Sequence, residues 1–378
     1  MNKSQLREFA IRSRVALIGS VKLRAFAYGI TQDKVKENKV TPSEQALGTN
    51  GKPLTVAERL QRDELLRQIA QKGFMQVMEE VAYTWFNRFI ALRYMENAQL
   101  LPIAQRVFVR KDEVRPEILA DALHVSLPSL DMQRVIAMLE CNENEPLYKL
   151  LLLTLCGNLH DILPQMFEKI SDYTELLFPD GLLQKDSVLA EMAKLDEDAW
   201  QSIQVVGWLY QYYNTELKAE TFALLKENVK ITKERIGAAT QLFTPEWIVR
   251  YMVENSLGRL WLEGHRNETL QGGWKYYLPE AEQEPNGAAR LAELRKDAAK
   301  LQPEEITVID PCMGSGHILV AAFDVLMDIY RTAGYTDRDA VPSIIGHNLY
   351  GLDIDDRAAQ LAYFAVMMKA CEYDHRYL

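Results

Sequence analysis

Ile306-Thr307-Val308-Ile309-Asp310-Pro311-Cys312-Met313-Gly314-Ser315-Gly316 and, later in the chain, Leu349-Tyr350-Gly351-Leu352-Asp353-Ile354 decide the fold. The first stretch opens with a β-branched run that reads as a buried parallel strand and passes into a glycine-rich turn. His317 to Tyr330 follows with helical periodicity. The second stretch is a strand ending in acid, after which Asp355-Asp356 opens a helix through Leu361, Phe364, Ala365 and Met368. Strand, glycine turn, helix, acid-ended strand and helix, in that order, form the first half of a doubly wound nucleotide-binding sheet.

In such a sheet the ligand lies over the carboxyl ends of the strands. Glycine in the first turn lets the backbone approach it, and the following helix N-terminus meets a negative group. The turn at Gly314, Ser315 and Gly316 lacks the spacing of a dinucleotide fingerprint, and Asp310-Pro311 stands directly before it. A carboxylate there repels a pyrophosphate and suits a ligand tail carrying an ammonium, such as the methionine end of S-adenosylmethionine. Asp353 is placed to accept ribose hydroxyls, with Ile354 against the adenine face. His317 reads either as a catalytic residue or, more simply, as a packed or cofactor-bordering side chain. Cys312 has no His or acid partner set by local spacing and reads as small filler. Asp355 and Asp356 read as helix N-terminal charges.

Upstream, Thr244-Pro245 signals a helix start running through Val249, Met252, Val253 and Leu257 to about Trp261. Residues 262–303 are polar, rich in Gly and Pro, and read as an insertion with one short charged helix over Ala288 to Leu301. Before Lys230 every periodic segment is helical. Ser4 to about Ile30 is one such segment, and 31–53 reads as a loop or mobile insertion. Thr55 to Met95 follows, with Thr55 and Glu58 as a capping box. Its stripe of Phe74, Val77, Val81, Trp85 and Phe89 reads as core, leaving Arg88 and Arg93 to a solvated face. Further helices are expected at Leu147 to Phe167, Ser187 to Leu195 and Ala199 to Tyr213. The Trp208 to Tyr213 aromatic cluster reads as core rather than as a base-stacking surface.

Composition sets the outer limits. The 378 residues suggest roughly two or three domains, and 48% hydrophobic with 25% charged residues exclude disorder and collagen. The cysteines at 141, 156, 312 and 371 are too few for a disulfide framework and lack metal-ligand spacing, so no metal is expected. A net charge of −10 excludes a surface that coats nucleic acid everywhere. A local basic patch at Arg7, Arg12, Arg14, Lys22 and Arg24 is compatible with weak DNA contact. With no signal peptide and no apolar run near the roughly 20 residues that span a bilayer, a cytoplasmic protein without membrane contact is expected.

Asp310-Pro311-Cys312-Met313-Gly314-Ser315-Gly316 resembles the first motif, D-P-x-x-G-S-G, of the gamma-type N6-adenine DNA methyltransferases. Gln241-Leu242-Phe243-Thr244-Pro245-Glu246-Trp247-Ile248-Val249 resembles their preceding motif, and Gly351-Leu352-Asp353-Ile354-Asp355 their ribose-binding motif. With Tyr83-Thr84-Trp85-Phe86-Asn87-Arg88 and Gly207-Trp208-Leu209-Tyr210-Gln211-Tyr212-Tyr213, the chain resembles the amino-terminal part of the large adenine methyltransferases of bacterial BREX phage-defence systems.

The resemblance implies an α + α/β protein. An all-helical region over 1–230 would precede the first half of a Rossmann-like S-adenosylmethionine-dependent domain over 231–378. It implies cofactor contacts at Phe243, Thr244, Pro245, Asp310, Pro311, Gly314, Ser315, Gly316, His317, Asp353 and Ile354. The partners implied are double-stranded DNA through the intact protein, other BREX proteins and a phage inhibitor. The family's Asn/Asp/Ser-Pro-Pro-Tyr/Phe motif, which holds the flipped adenine, does not occur in the sequence. The expectation is therefore an amino-terminal portion, either shortened or naturally interrupted, with no catalytic residue of its own. The competing expectation is a helical docking platform that does no chemistry.

Overall fold

The computed structural model describes residues 2–48, 51–111, 113, 115–167 and 173–378. It forms two compact units, Met1–Glu220 and Thr221–Leu378, with the boundary inside the Thr215–Lys226 helix. The described residues are mostly helical, with one two-stranded parallel sheet. No helix among them is long and apolar enough to cross a membrane.

The first unit is built on the Phe74–Asn97 helix, which is buried from Phe74 to Met95 on nearly every face. Helix Lys3–Ala27 packs on it and on Gln204–Tyr213. Rings fill the contact: Phe9 lies 6.1 Å from Phe86, and Phe86 lies 4.6 Å from Tyr213. Tyr210 and Tyr213 are core, as expected of the aromatic cluster, while Trp208 and Tyr212 are half-buried and stacked at 5.7 Å. Trp85 packs edge-on against Phe178 at 4.6 Å and donates its indole N–H to the Thr174 carbonyl at 3.1 Å. The indole thus satisfies its one polar group inside the core.

Three local expectations are corrected. Thr55 and Glu58 do form a capping box, but the helix they start ends at Lys72. Gly73, with φ +91°, breaks the segment before Phe74 begins a new helix. Arg88 and Arg93 do not face solvent; they are 2% and 4% exposed. Arg88 lies over the Trp85 ring, and Arg93 is ion-paired with Glu96 in a contact nearly closed to solvent. A helix buried all round has no solvated face to offer them. The 31–53 segment contains a short helix, Gln32–Lys36, and a bridge between Leu47 and Pro53; its residues 49 and 50 lie outside the described residues.

The second unit centres on helix His317–Thr332. It packs against helices Glu246–Val253 and Asp356–Tyr373 and against both strands. Strand β1, Val308–Asp310, pairs in parallel with β2, Leu349–Gly351, in the register Val308–Leu349, Ile309–Tyr350 and Asp310–Gly351. Parallel neighbours need a crossover, and His317–Thr332 supplies it. The fully buried Asn348 pins the strand entries, donating to the carbonyls of Pro303 and Ile306 at 2.7 Å and accepting from the Tyr330 hydroxyl at 2.9 Å. Asp324 clamps the helices by accepting from Arg250, Lys369 and Tyr373.

The segment 262–303 holds two helices, Glu268–Gly273 and Pro285–Ala298, where one was expected, and Leu262, Leu270 and Trp274 join the hydrophobic core. Its scattered apolar residues follow no period long enough to be read from sequence. The upstream helix begins at Glu246, one residue later than Thr244-Pro245 suggests. Pro245 keeps an extended ψ of 139° and serves as the cap.

Glu96 also accepts the backbone N–H groups of Val107 and Phe108. Glu96→Ala strands Arg93 and two amides at once, and should destabilise the first unit by about 3–5 kcal/mol. Urea unfolding followed by tryptophan fluorescence measures this, and a loss below about 1 kcal/mol rejects the buried pair as a structural tie.

Candidate functional site

The glycine turn leaves β1 at Asp310 and enters the His317 helix, and β2 continues beside it into Leu352 and Asp353. Backbone bonds extend the pairing beyond the strands. Leu352 N–H donates to the Asp310 carbonyl at 2.9 Å, and Met313 N–H donates to the Leu352 carbonyl at 3.0 Å. The turn is therefore fixed against the end of β2 rather than looping freely.

Asp353 completes the tie. One carboxylate oxygen accepts the Gly314 N–H and the other accepts the Asp355 N–H, each at 2.8 Å. Asp353 thus meets the glycine turn of the other strand and fixes its own orientation. A carboxylate oxygen has two acceptor sites, so each oxygen keeps capacity for a further donor. Asp355 caps the next helix through the Arg357 N–H and is ion-paired with the Arg357 side chain at 2.8 Å.

Asp310 is 8% exposed. Its Oδ1 accepts the Cys312 N–H at 3.0 Å, while its buried Oδ2 has no partner. Burial pushes the carboxyl above its ordinary range; the Cys312 bond opposes the shift and the Asp353 charge adds to it. A buried acceptor with nothing to accept is costly, so this oxygen is where a donor would gain most.

Gly316 has φ +81°, and a Cβ there would lie 2.9 Å from the Ala362 Cα. The close approach of turn and Asp356–Tyr373 helix needs glycine on both counts. Gly351 is constrained differently: a Cβ would meet the Met313 sulfur at 2.2 Å.

On the upstream side the Phe243 ring stacks on His317 at 4.4 Å and 6°. Burial pushes His317 below its ordinary value, with a backbone hydrogen bond to Thr244 opposing it. A largely neutral imidazole follows at pH 7. Phe243 and Ser315 are buried, Thr244 is half-buried, and Pro245, Pro311 and Ile354 are exposed, Ile354 by 68%. The structure therefore joins Asp310, Gly314 and Asp353 in one group, and Phe243, Thr244 and His317 in another. Asn348 went unnoticed in the sequence because a lone Asn after a helix carries no pattern.

Three of the five cations of the basic patch are ion-paired within the chain. Arg24 is buried and paired with Asp180 at 2.9 Å, and Arg14 is paired with Glu79 and, at 3.5 Å, with Glu216. Arg12 is held by Glu8 at 2.5 Å. Among the described residues Arg7 and Lys22 make no ion pair, so two of the five cations keep unmatched charge. Among the described residues, too, no group of three or more His, Cys, Asp or Glu side chains is placed to hold a metal. Cys312 is exposed, whereas Cys156 and Cys371 are buried, and burial pushes both their thiols up to about 11.

No family model matches the chain. Over its whole length it is 40% identical to the adenine-specific methyltransferase BrxX of Escherichia coli O9:H4 (strain HS). Over 98% of its length it is 38% identical to the adenine-specific methyltransferase PglX of Lacticaseibacillus casei (strain Zhang). The chain spans 32% of each of these relatives, about a third. A weaker match, 25% identical over 51% of the chain and 18% of the relative, is a putative type II restriction enzyme and methyltransferase of Methanocaldococcus jannaschii.

Gly316→Ala should cost about 2–4 kcal/mol, from the left-handed backbone and the contact with Ala362. Thermal unfolding of the second unit measures it, and an unchanged midpoint would show that the turn does not need glycine.

Proposed function

From a chain homologous over its whole length to the adenine-specific methyltransferases BrxX and PglX, we propose that the 231–378 region is the cofactor-holding part of a DNA adenine N6-methyltransferase. The cofactor is S-adenosylmethionine, and the region is the first half of a Rossmann-like sheet. The observation that carries this reading is the buried, partnerless Oδ2 of Asp310 beside the turn that Asp353 holds.

Each residue has a role that its surroundings support. Asp310 accepts the ammonium of the methionine end, which supplies the missing donor and the missing counter-charge together. The amides at the start of the His317 helix meet the cofactor carboxylate. Asp353, already oriented by two amides, takes the ribose hydroxyls, and the exposed Ile354 covers the adenine. Phe243, Thr244, Pro245 and His317 border the site, with His317 held by its ring stack rather than presented as a base. Pro311 shapes the turn beside Asp310, while Gly314, Ser315 and Gly316 keep its backbone close to the ligand. When bound, the cofactor supplies an activated sulfonium methyl; the protein supplies orientation and electrostatics.

The target of the intact protein is double-stranded DNA in phage defence, within the cytoplasm and beside other defence proteins. Arg7 and Lys22 are the cations left to make weak, salt-dependent contact with it. The sequence has no Asn/Asp/Ser-Pro-Pro-Tyr/Phe motif to hold the adenine amine and stack the base. Purified 1–378 protein should therefore transfer no tritiated methyl group to adenine-containing DNA above background. N6-methyladenine made by this chain alone would place the catalytic residues elsewhere.

Asp310→Asn keeps the Cys312 bond and removes the charge. S-adenosylmethionine affinity should fall about tenfold to a hundredfold by titration calorimetry, taking about 1.5–3 kcal/mol for a charged hydrogen bond. The pH dependence has a fixed sign. The free carboxyl is raised and the bound ammonium holds it ionised, so affinity declines as pH falls through the raised Asp310 value. The Asn variant should lose that acid limb. An affinity equal to wild type, or an acid limb that survives in the variant, rejects the Asp310 role.

A further inference from the structure

The first unit holds a cleft of about 690 Å³, within the range of small-ligand sites. Its floor is one face of helix Asn144–His160, where Lys149, Leu153, Gly157 and His160 recur at helical spacing. Helices Lys3–Ala27, Val56–Lys72 and Met132–Glu140 supply the walls through Arg24, Glu58 and Arg134.

The polar groups of the cleft are unevenly satisfied. Two of its three carboxylates already have donors: Glu58 takes the Thr55 amide and hydroxyl at 2.9 and 2.8 Å, and Glu175 takes Gln61 Nε2 at 3.0 Å, while Asp161, which is exposed, has none among the described residues. Asp180, just outside, takes Arg24. The donors are less well served. Lys149 makes no ion pair or hydrogen bond among the described residues, its Nζ facing the Phe178 ring at 5.3 Å. Arg134 has no side-chain acceptor either; Arg24 donates through its terminal nitrogens to Asp180, the Tyr28 hydroxyl and the Leu176 carbonyl, but its buried Nε has no partner. His160 Nδ1 is bonded to the Phe167 carbonyl at 2.8 Å. Lys149, Arg134 and the Arg24 Nε are thus donors of the cleft left without an acceptor among the described residues.

We propose that this cleft binds a compact oxyanion, sulfate- or phosphate-like, free or carried on a small organic molecule, with Lys149 and Arg24 as its principal donors. The cleft is larger than a bare ion, and Met138, Leu150 and Leu153 line it with apolar surface that suits an organic carrier. The electrostatics agree with the geometry. Burial first, and the Arg24 charge second, lower Lys149 to about 8 against the pull of Asp180, Glu175 and Glu58. Arg134, His160 and Asp161 are the remaining charged or titratable groups of the cleft besides the Tyr28 phenol. A bound anion supplies the missing counter-charge and draws a proton onto Lys149.

Calorimetry of the full chain at pH 8, with sodium sulfate and separately with phenyl phosphate, in two buffers of different ionisation enthalpy, tests this. Saturable binding is expected, with uptake of about half a proton per anion. Equal affinity for the two probes assigns the bare ion; at least tenfold tighter phenyl phosphate assigns the organic carrier. Lys149→Met should weaken binding at least tenfold and abolish proton uptake. Gly157→Leu leaves every charge in place and fills the cleft, because a Cβ at Gly157 meets nothing within 4 Å. It should also weaken binding at least tenfold, and it decides the matter should Lys149→Met fail to fold. The proposal is overturned if neither probe binds saturably, or if the folded variants bind as the wild type does.

Discussion

Two backbone amides on one carboxylate hold the strand ends and the glycine turn of the second unit together. Asp353 follows β2, yet one of its oxygens accepts the amide of Gly314, in the turn that follows β1. Without that bond the glycine turn would be attached to the sheet only through the strand end and the Met313–Leu352 bond. The positive φ angles at Gly314 and Gly316 are then held in place from the side. The cost of ordering a short turn is met by bonds to charged oxygen, which are stronger than neutral ones. The same oxygens retain acceptor sites, so one residue orders the turn and stays available to a ligand.

Asp353 stands close enough to Asp310 for its charge to be felt there. Two carboxylates near one another at the end of a parallel sheet are an unfavourable arrangement in isolation. A ligand with a cationic end and several hydroxyls relieves it, whereas a ligand with two phosphates aggravates it. Under the proposed function, that asymmetry, rather than the sheet itself, is what favours a methyl donor over a dinucleotide. Doubly wound sheets host many chemistries, and the choice lies in the side chains at the strand ends.

The parts of this arrangement legible in the sequence were those with short-range patterns. Ile306 to Gly316 combined a β-branched run with a turn that only glycine permits, and Thr55 with Glu58 announced a capping box through two residues three apart. The paired strands proved shorter than the quoted runs, since the strand register covers only Val308–Asp310 and Leu349–Gly351. What could not be read depended on distant residues. Arg88 and Arg93 are charged, and only a helix surrounded on all sides makes them internal. Asn348 matters because Pro303, Ile306 and Tyr330 converge on it. The neutralisation of Arg14 and Arg24 needed Glu79 and Asp180, far along the chain. Leu270 and Trp274 reached the core from a segment whose composition is polar.

In the function proposed above, the strand ends hold S-adenosylmethionine through Asp310 and Asp353. A crystal structure of the chain grown with S-adenosylmethionine tests it most directly. The ligand's amino group is expected on Asp310 Oδ2 and its ribose on Asp353, with the Gly314 and Asp355 amide bonds still in place. A ligand seated elsewhere on the chain, or one seated at the strand ends without touching either carboxylate, would contradict it.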